Sequence, residues 1–197
     1  MALRVVTKPK GELIPLDDAK QQLRVDFDDD NDLITGIIRA AGRRIEAITA
    51  RRYLAQTLEW GRDCLANPMV LPVAPGGDSA SIAVDWVKYF DLQGVQQTLD
   101  PALYWARPIG PTLKIVPRWF VVWPWVGDGP ERVTIRFHTI GDPSCVSDNV
   151  RHACRLLVSH WYRNRDAVVG VDNRDSSGPL PEGVEQLLFD EQWEVPG

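Results

Sequence analysis

Residues 31–52, NDLITGIIRAAGRRIEAITARR, decide the fold. Ile34, Ile37, Ile38, Ala41, Ile45 and Ile48 project within an arc of about 100° at the helical period, leaving Arg39, Arg43 and Glu46 on the opposite side. The spacing predicts a helix from Asn31 or Asp32 to about Arg52, roughly 30 Å long at the standard rise. A helix with one apolar stripe needs a partner. Upstream, Leu16, Ala19 and Leu23 recur at the same spacing behind Pro15, with Asp17 and Asp18 in the first turn where carboxylates favour the helix dipole. That predicts a short first helix over about 16–25. Downstream, Ser147 or Asp148 can cap a third helix carrying Val150, Ala153, Cys154, Leu157, Val158 and Trp161 on one face and ending near 164–166. It is the natural partner for the isoleucine stripe.

Between about 55 and 140 the texture changes to short runs rich in Val, Ile, Trp and Tyr, broken by Pro and Gly: QTLEWGRDCL, SIAVDWVKYFDLQG, LKIVP and ERVTIRFHTIG. In RVTIRFH, Val133, Ile135 and Phe137 alternate with Thr134, Arg136 and His138, the period-2 pattern of a strand with one buried face. DLQG at 91–94 and GDGP at 127–130 read as turns. The expected class is α+β: a small helical bundle, formed by an N-terminal helix pair and C-terminal helices, with an inserted antiparallel β lobe. The expected organisation is an arm and helix pair over 1–54, the β lobe over 55–141, and a core helix over 142–166. A mobile Gly-, Ser- and Asp-rich loop at 167–180 then leads into a docking segment that ends the chain, 167–197 together. LPEGVEQLLFDEQW, 180–193, is expected to form a turn or two of terminal helix.

The chain has 197 residues, 44% of them hydrophobic and 25% charged, with a net charge of −5. This is the composition of an ordinary globular protein with room for a real core. Mild acidity argues against sequence-independent duplex binding, which draws on clustered Lys and Arg. Cys64, Cys145 and Cys154 form no paired spacing, so a disulfide framework is not expected and a reducing cytoplasm is the default. The first residues lack the apolar core of a secretory signal, and the apolar cluster WFVVWPWV at 119–126 is too short to span a bilayer, so a soluble, unexported protein is expected.

The run RVDFDDDNDLI at 24–34 raises the question of a metal site. A calcium loop starting at Asp26 would place Asn31 where Gly is needed and Ile37 where a bidentate Glu belongs; starting at Asp28 gives Leu33 and Arg39 instead. The competing reading is a helix joint, in which Asp and Asn break the first helix, cap the second and lie at its positive end. His152 and His160, on one helix, stand about 12 Å and about 80° apart and cannot share a zinc ion. His138 falls on the polar face of its strand. Nucleophile elbows, HExxH and phosphate loops are absent. No catalytic residue, metal or cofactor is therefore assigned. The aromatic cluster Trp119, Phe120, Trp123 and Trp125 reads first as filling for the β-lobe core and second as a protein interface, where Trp serves as an anchor. Stacking on nucleic acid wants more interleaved basic residues than Arg118 alone.

The order of these parts resembles a known family: the head–tail connector, or adaptor, proteins of tailed bacteriophages and phage-derived gene transfer particles. The resemblance rests on PLDDAKQQLRVD at 15–26, DDNDLITGIIRAAGRRIEAITARRYL at 29–54 and the strand opening QTLEW. YFDLQG with the later Tyr104, WP at 123–124, RVTIRFHTIG at 132–141, VRHACRLLVSHWYRNRDA at 150–167 and LPEGVEQLL at 180–188 follow in order. It implies a non-enzymatic, structural ring subunit, typically one of twelve, beneath the portal of a virion or phage-like particle made in the bacterial cytoplasm. Such a ring receives the stopper or tail below and leaves a channel for DNA without sequence-specific binding or contact with a membrane. By the same analogy a C-terminal segment would reach the portal, through Leu187, Leu188, Phe189 and Trp193. Trp123 and Trp125 are candidates for a contact with a neighbouring subunit or tail component. Acidic subunits would suit a conduit that repels the DNA backbone, provided that their carboxylates face the channel. Two rival readings stand beside this one: a metal-assisted hydrolase or nuclease built on Asp26–Asp32, and a single-stranded nucleic-acid binder using the Trp cluster.

Overall fold

The isoleucine stripe forms the helix expected of it. A computed structural model describes residues 2–77, 81–164 and 182–193. Chain order runs β1 Ala2–Thr7, α1 Leu16–Leu23, α2 Asn31–Thr49, β2 Arg51–Arg52, β3 Gln56–Arg62, β4 Met69–Val70, β5 Ala74–Pro75, β6 Ser81–Phe90 and β7 Gln96–Thr98. It continues with β8 Tyr104–Ile109, β9 Thr112–Pro117, β10 Val133–Ile140, α3 Asp148–Arg163 and α4 Glu182–Phe189. The class is α+β, as the alternation of periodicities required.

In α2, Ile34, Ile38, Ala41 and Ile45 are buried. They meet Val150, Ala153, Cys154, Leu157 and Val158 of α3 in one cluster, joined by Ala19 of α1 and by Val184 and Leu188 of α4. The helix stops three residues before the expected Arg52. Ala50 takes a left-handed conformation, φ 53°, as its C-cap, and Arg51–Arg52 are claimed by a parallel pairing with Ala74–Pro75. Ser147 caps α3 as expected, its Oγ accepting the Val150 N–H.

A second cluster, centred on Leu58, Met69, Val87, Ile115, Ile135 and Phe137, fills the β lobe. Five antiparallel strands run in the order β1-β3-β10-β6-β7, and a three-stranded sheet runs β4-β9-β8. The alternation in β10 is kept: Val133, Ile135, Phe137 and Thr139 are buried while Thr134, Arg136 and His138 are half-buried on the other face. Register sets Phe137 opposite Leu58 and Ile135 between Trp60 and Val87. Besides the two- and three-residue strands β2, β4, β5 and β7, two six-residue strands escaped the sequence reading. β1, read as part of an arm, pairs with β3 at the sheet edge. β8 contains Pro108, which an edge strand tolerates because one side of its backbone needs no ladder partner.

Glu46 departs from expectation. Assigned to the polar side of α2, it is buried, its Oε1 accepting from the Tyr53 N–H at 3.3 Å and from Gln56 Nε2 at 3.1 Å. The carboxylate ties the bundle to the chain leading into the sheet. Burial pushes its carboxyl above the ordinary glutamate value of 4.5, against the opposing pull of Arg52 and of the two hydrogen bonds. A carboxyl raised in the folded state holds its proton longer than in the unfolded chain. Its favourable contribution is complete below the unfolded value and is lost as pH rises through the folded one. Glu46→Gln keeps an acceptor but cannot ionise. Its stability relative to the parent should therefore increase from acid to neutral pH, measured as urea midpoints across that range. A difference that is flat, or that runs the other way, would sink this assignment.

Candidate interaction surfaces

The acidic run is a helix joint. Arg24, left-handed at φ 58°, ends α1, and the Asp28 carbonyl accepts the Asn31 N–H to turn the chain into α2. The caps differ in detail from the sequence reading. Asp30 holds the N-cap position of α2 without a side-chain cap bond; its carboxylate instead accepts from the Tyr162 hydroxyl of α3 at 2.5 Å. Asp28 accepts from Lys20 Nζ at 2.7 Å and from Asn31 Nδ2 at 3.1 Å, and these bonds hold its carboxyl below the ordinary carboxylate range. Among the described residues no three His, Cys, Asp or Glu side chains are placed to hold a metal ion. The hydrolase reading needed a His or Glu of the sheet beside these carboxylates, and the described residues provide no such convergence.

The histidines are separate. His138 Nδ1 lies 2.6 Å from Asp85 Oδ1 on the sheet face. His160 contacts Asn164 at the end of α3. His152 lines a groove of about 410 Å³ with Asp18, Gln21, Gln22 and Arg155, crossed by the Arg155–Asp18 ion pair at 2.6 Å.

The C-terminal candidates occupy four different environments. Leu188 is wholly buried in the bundle and Leu187 is packed partly against it. Phe189 is 73% exposed. Trp193 is folded back: its backbone N–H donates to the Thr49 carbonyl at the end of α2 at 2.8 Å, and its indole lies against Gly110 at the β8–β9 turn. Around it, Arg51 Nε donates to the Glu191 carbonyl at 2.7 Å and Ser147 Oγ to Glu191 Oε1 at 2.6 Å. Sequence gave no sign of this clip, whose partners lie 44 to 144 positions apart. The loop at 167–180 lies outside the described residues.

The aromatic segment corrects the core-filling reading. Trp119 is 78% exposed, Trp125 83% and Val122 89%, and Phe120 is fully exposed. Trp123 alone of the four turns inward, packing against the β-lobe core with Nε1 donating to the Ala66 carbonyl at 3.0 Å. Residues 118–132 lie between β9 and β10 outside any ladder, so no second sheet covers their rings. Next to them Trp105 lies edge-on to Trp119, centroids 5.6 Å apart. The Arg107 guanidinium sits 4.0 Å from the Trp105 ring centroid and Arg118 at 5.6 Å. Trp105 and Arg107 were not singled out from sequence. Their alternation in YWARPI, within an edge strand, is the signal that was available.

Comparison with known proteins bears on the first helix pair with the strands after it and on the whole fold. Residues 14–88 match the family model of the phage gp6-like head-tail connector protein. The match opens at Ile14 and takes in α1, the acidic joint and α2 before ending within β6. Among solved structures, a chain from the neck of an empty GTA particle computed with C6 symmetry aligns with TM-score 0.73 and 22% identity. A chain of the virion of a native gene transfer agent (GTA) particle gives 0.74 and 22%, and one from the neck of a native GTA particle computed with C12 symmetry gives 0.71 and 23%. Each alignment covers 100% of this chain and 98% of the other. No curated protein sequence matches. The resemblance read from the order of motifs is thus supported twice, by a connector match over residues 14–88 and by a shared fold over the full length.

Proposed function

We propose that this protein is a structural head–tail connector subunit, one of a ring, typically of twelve, that joins the portal of a phage-like capsid to its stopper or tail and lines the DNA passage. The observation that carries the reading is the coincidence of the connector match at residues 14–88 with end-to-end likeness to GTA neck chains. The absence of converging carboxylates, among the described residues, leaves the hydrolase reading without a site. On this reading Phe189 is the residue of α4 presented to the portal as the chain stands, because Leu188 is spent on the bundle core. Trp193 joins it only if the 191–193 clip opens. Trp125, not the inward-turned Trp123, faces a neighbouring subunit or the tail.

Imaging of native particles tests the proposal. The expected result is a ring of this chain at a single capsid vertex, between portal and tail. Particles whose necks lack it would overturn the proposal.

A further inference from the structure

Two exposed surfaces of this chain have opposite charge and are both rich in uncovered apolar side chains. The first is the aromatic ledge, where Arg107 and Arg118 lie over Trp105, Trp119 meets that ring edge-on, and the exposed Phe120 follows Trp119 in the chain. Neither guanidinium has a carboxylate partner among the described residues. The second is the outer side of the helix joint, where Phe27, 48% exposed, and Leu33, 42% exposed, sit among Asp26, Asp29 and Asp32. Those three carboxylates have no cationic partner among the described residues, while Asp28 is already paired with Lys20.

The two surfaces belong to different parts of one subunit. The joint is at the N-terminus of α2, whose 19 residues span about 28 Å. The ledge is in the β lobe, at the end of the β8–β9 hairpin where Tyr104 pairs with Pro117, opposite the Gly110 turn that Trp193 ties to Thr49 at the C-terminus of that helix. Complementary patches at different places on one surface make a head-to-tail contact, which repeats from copy to copy and closes into a ring when the rotation allows. Building on the ring reading above, we propose that the Arg107/Arg118 aromatic ledge of one copy seats on the acidic Phe27–Leu33 joint of the next.

Charge favours this occupant. An acidic, partly apolar surface draws the two guanidinium groups, and Trp anchors gain most in a desolvated contact. A nucleic-acid strand is itself a polyanion, which a chain of net charge −5 disfavours, and the ring nearest the two guanidinium groups, Trp105, already has a face covered by Arg107.

The test uses the full chain in particles, in a Cys64→Ser background because Cys64 is exposed. Phe27→Cys and Phe120→Cys are introduced singly and together, and isolated necks are treated with a short bismaleimide. The double variant should give a ladder of dimers, trimers and higher species, and the single variants should give none. Rings that remain visible by imaging yet yield no ladder would overturn the contact while leaving the connector reading intact; particles without a ring would overturn both. Arg107→Glu with Arg118→Glu should abolish ring incorporation at least tenfold without changing the thermal midpoint, and Asp29→Arg with Asp32→Arg in the same chain should restore it. Unchanged incorporation of the charge-reversed chain would also overturn the contact. So would oligonucleotide binding that is lost in Trp119→Ala with Phe120→Ala while rings persist, which would reassign the ledge to nucleic acid.

Discussion

Gly141→Ala should lower the free energy of unfolding by about 3 kcal/mol, the upper end of what overpacking costs. A Cβ built at Gly141 falls 2.9 Å from the carbonyl carbon of Tyr53 and closer still to its oxygen, and 3.4 Å from the Leu54 nitrogen. All three are backbone atoms, so no side chain can swing aside. The site is also crowded from the other direction, since a Cβ at Gly76 would lie within 3 Å of the Tyr53 ring. Tyr53 is wholly buried where the chain leaving the bundle enters the sheet. Relief of the clash must therefore move the bundle against the lobe. Gly36→Ala supplies the opposite sign: nothing lies within 4 Å of its Cβ position, and replacing a glycine inside an exposed helical turn should stabilise by about 0.5–1 kcal/mol. Urea titrations of both variants check the pair. A Gly141→Ala cost below about 1 kcal/mol would mean that the junction yields more easily than its close backbone approach implies.

What the sequence disclosed follows from the range over which its signals act. The α2 stripe, the Ser147 cap and the β10 alternation are local: each is written in residues a few positions apart, and each appears in the fold as expected. Glu46 was misread for the same reason. Its neighbours on the helix mark a polar side, but what buries it is the returning chain, with Tyr53 and Gln56 supplying the donors. The tryptophans at 119–125 were misread because composition measures how much apolar surface a segment carries, not whether a sheet faces it. Pro117 and Pro124 each lack a backbone N–H, and the chain between them runs outside both sheets. Of the candidate interaction residues, Trp125 and Phe189 are found where a partner can reach them, and Leu188 and Trp123 are not. Sequence could not separate these pairs, since each joins residues of similar character two positions or fewer apart.

Leu188 and Phe189 make that separation measurable. Leu188→Ala removes a wholly buried side chain from the bundle, a change that costs about 2–5 kcal/mol depending on how far the site collapses. Among the described side chains of α4 only Val184 and Leu188 are fully buried in the bundle core, so the cost falls on the docking of a single eight-residue helix. The loss should appear as faster amide exchange confined to α4 and to the 191–193 clip, with α2 and α3 still protected, in the manner of local opening. Phe189→Ala removes a side chain that touches solvent and should leave stability within about 0.5 kcal/mol. If Phe189 is a portal anchor, this silent substitution should nonetheless deplete the protein from assembled necks. Leu188→Ala should deplete it too, but only in proportion to the undocking of α4. Equal exchange in both variants would show that α4 is held by something other than Leu188. Normal neck incorporation of Phe189→Ala would remove the exposed phenylalanine from the portal contact and return that role to Trp193, whose release the exchange of the clip reports directly.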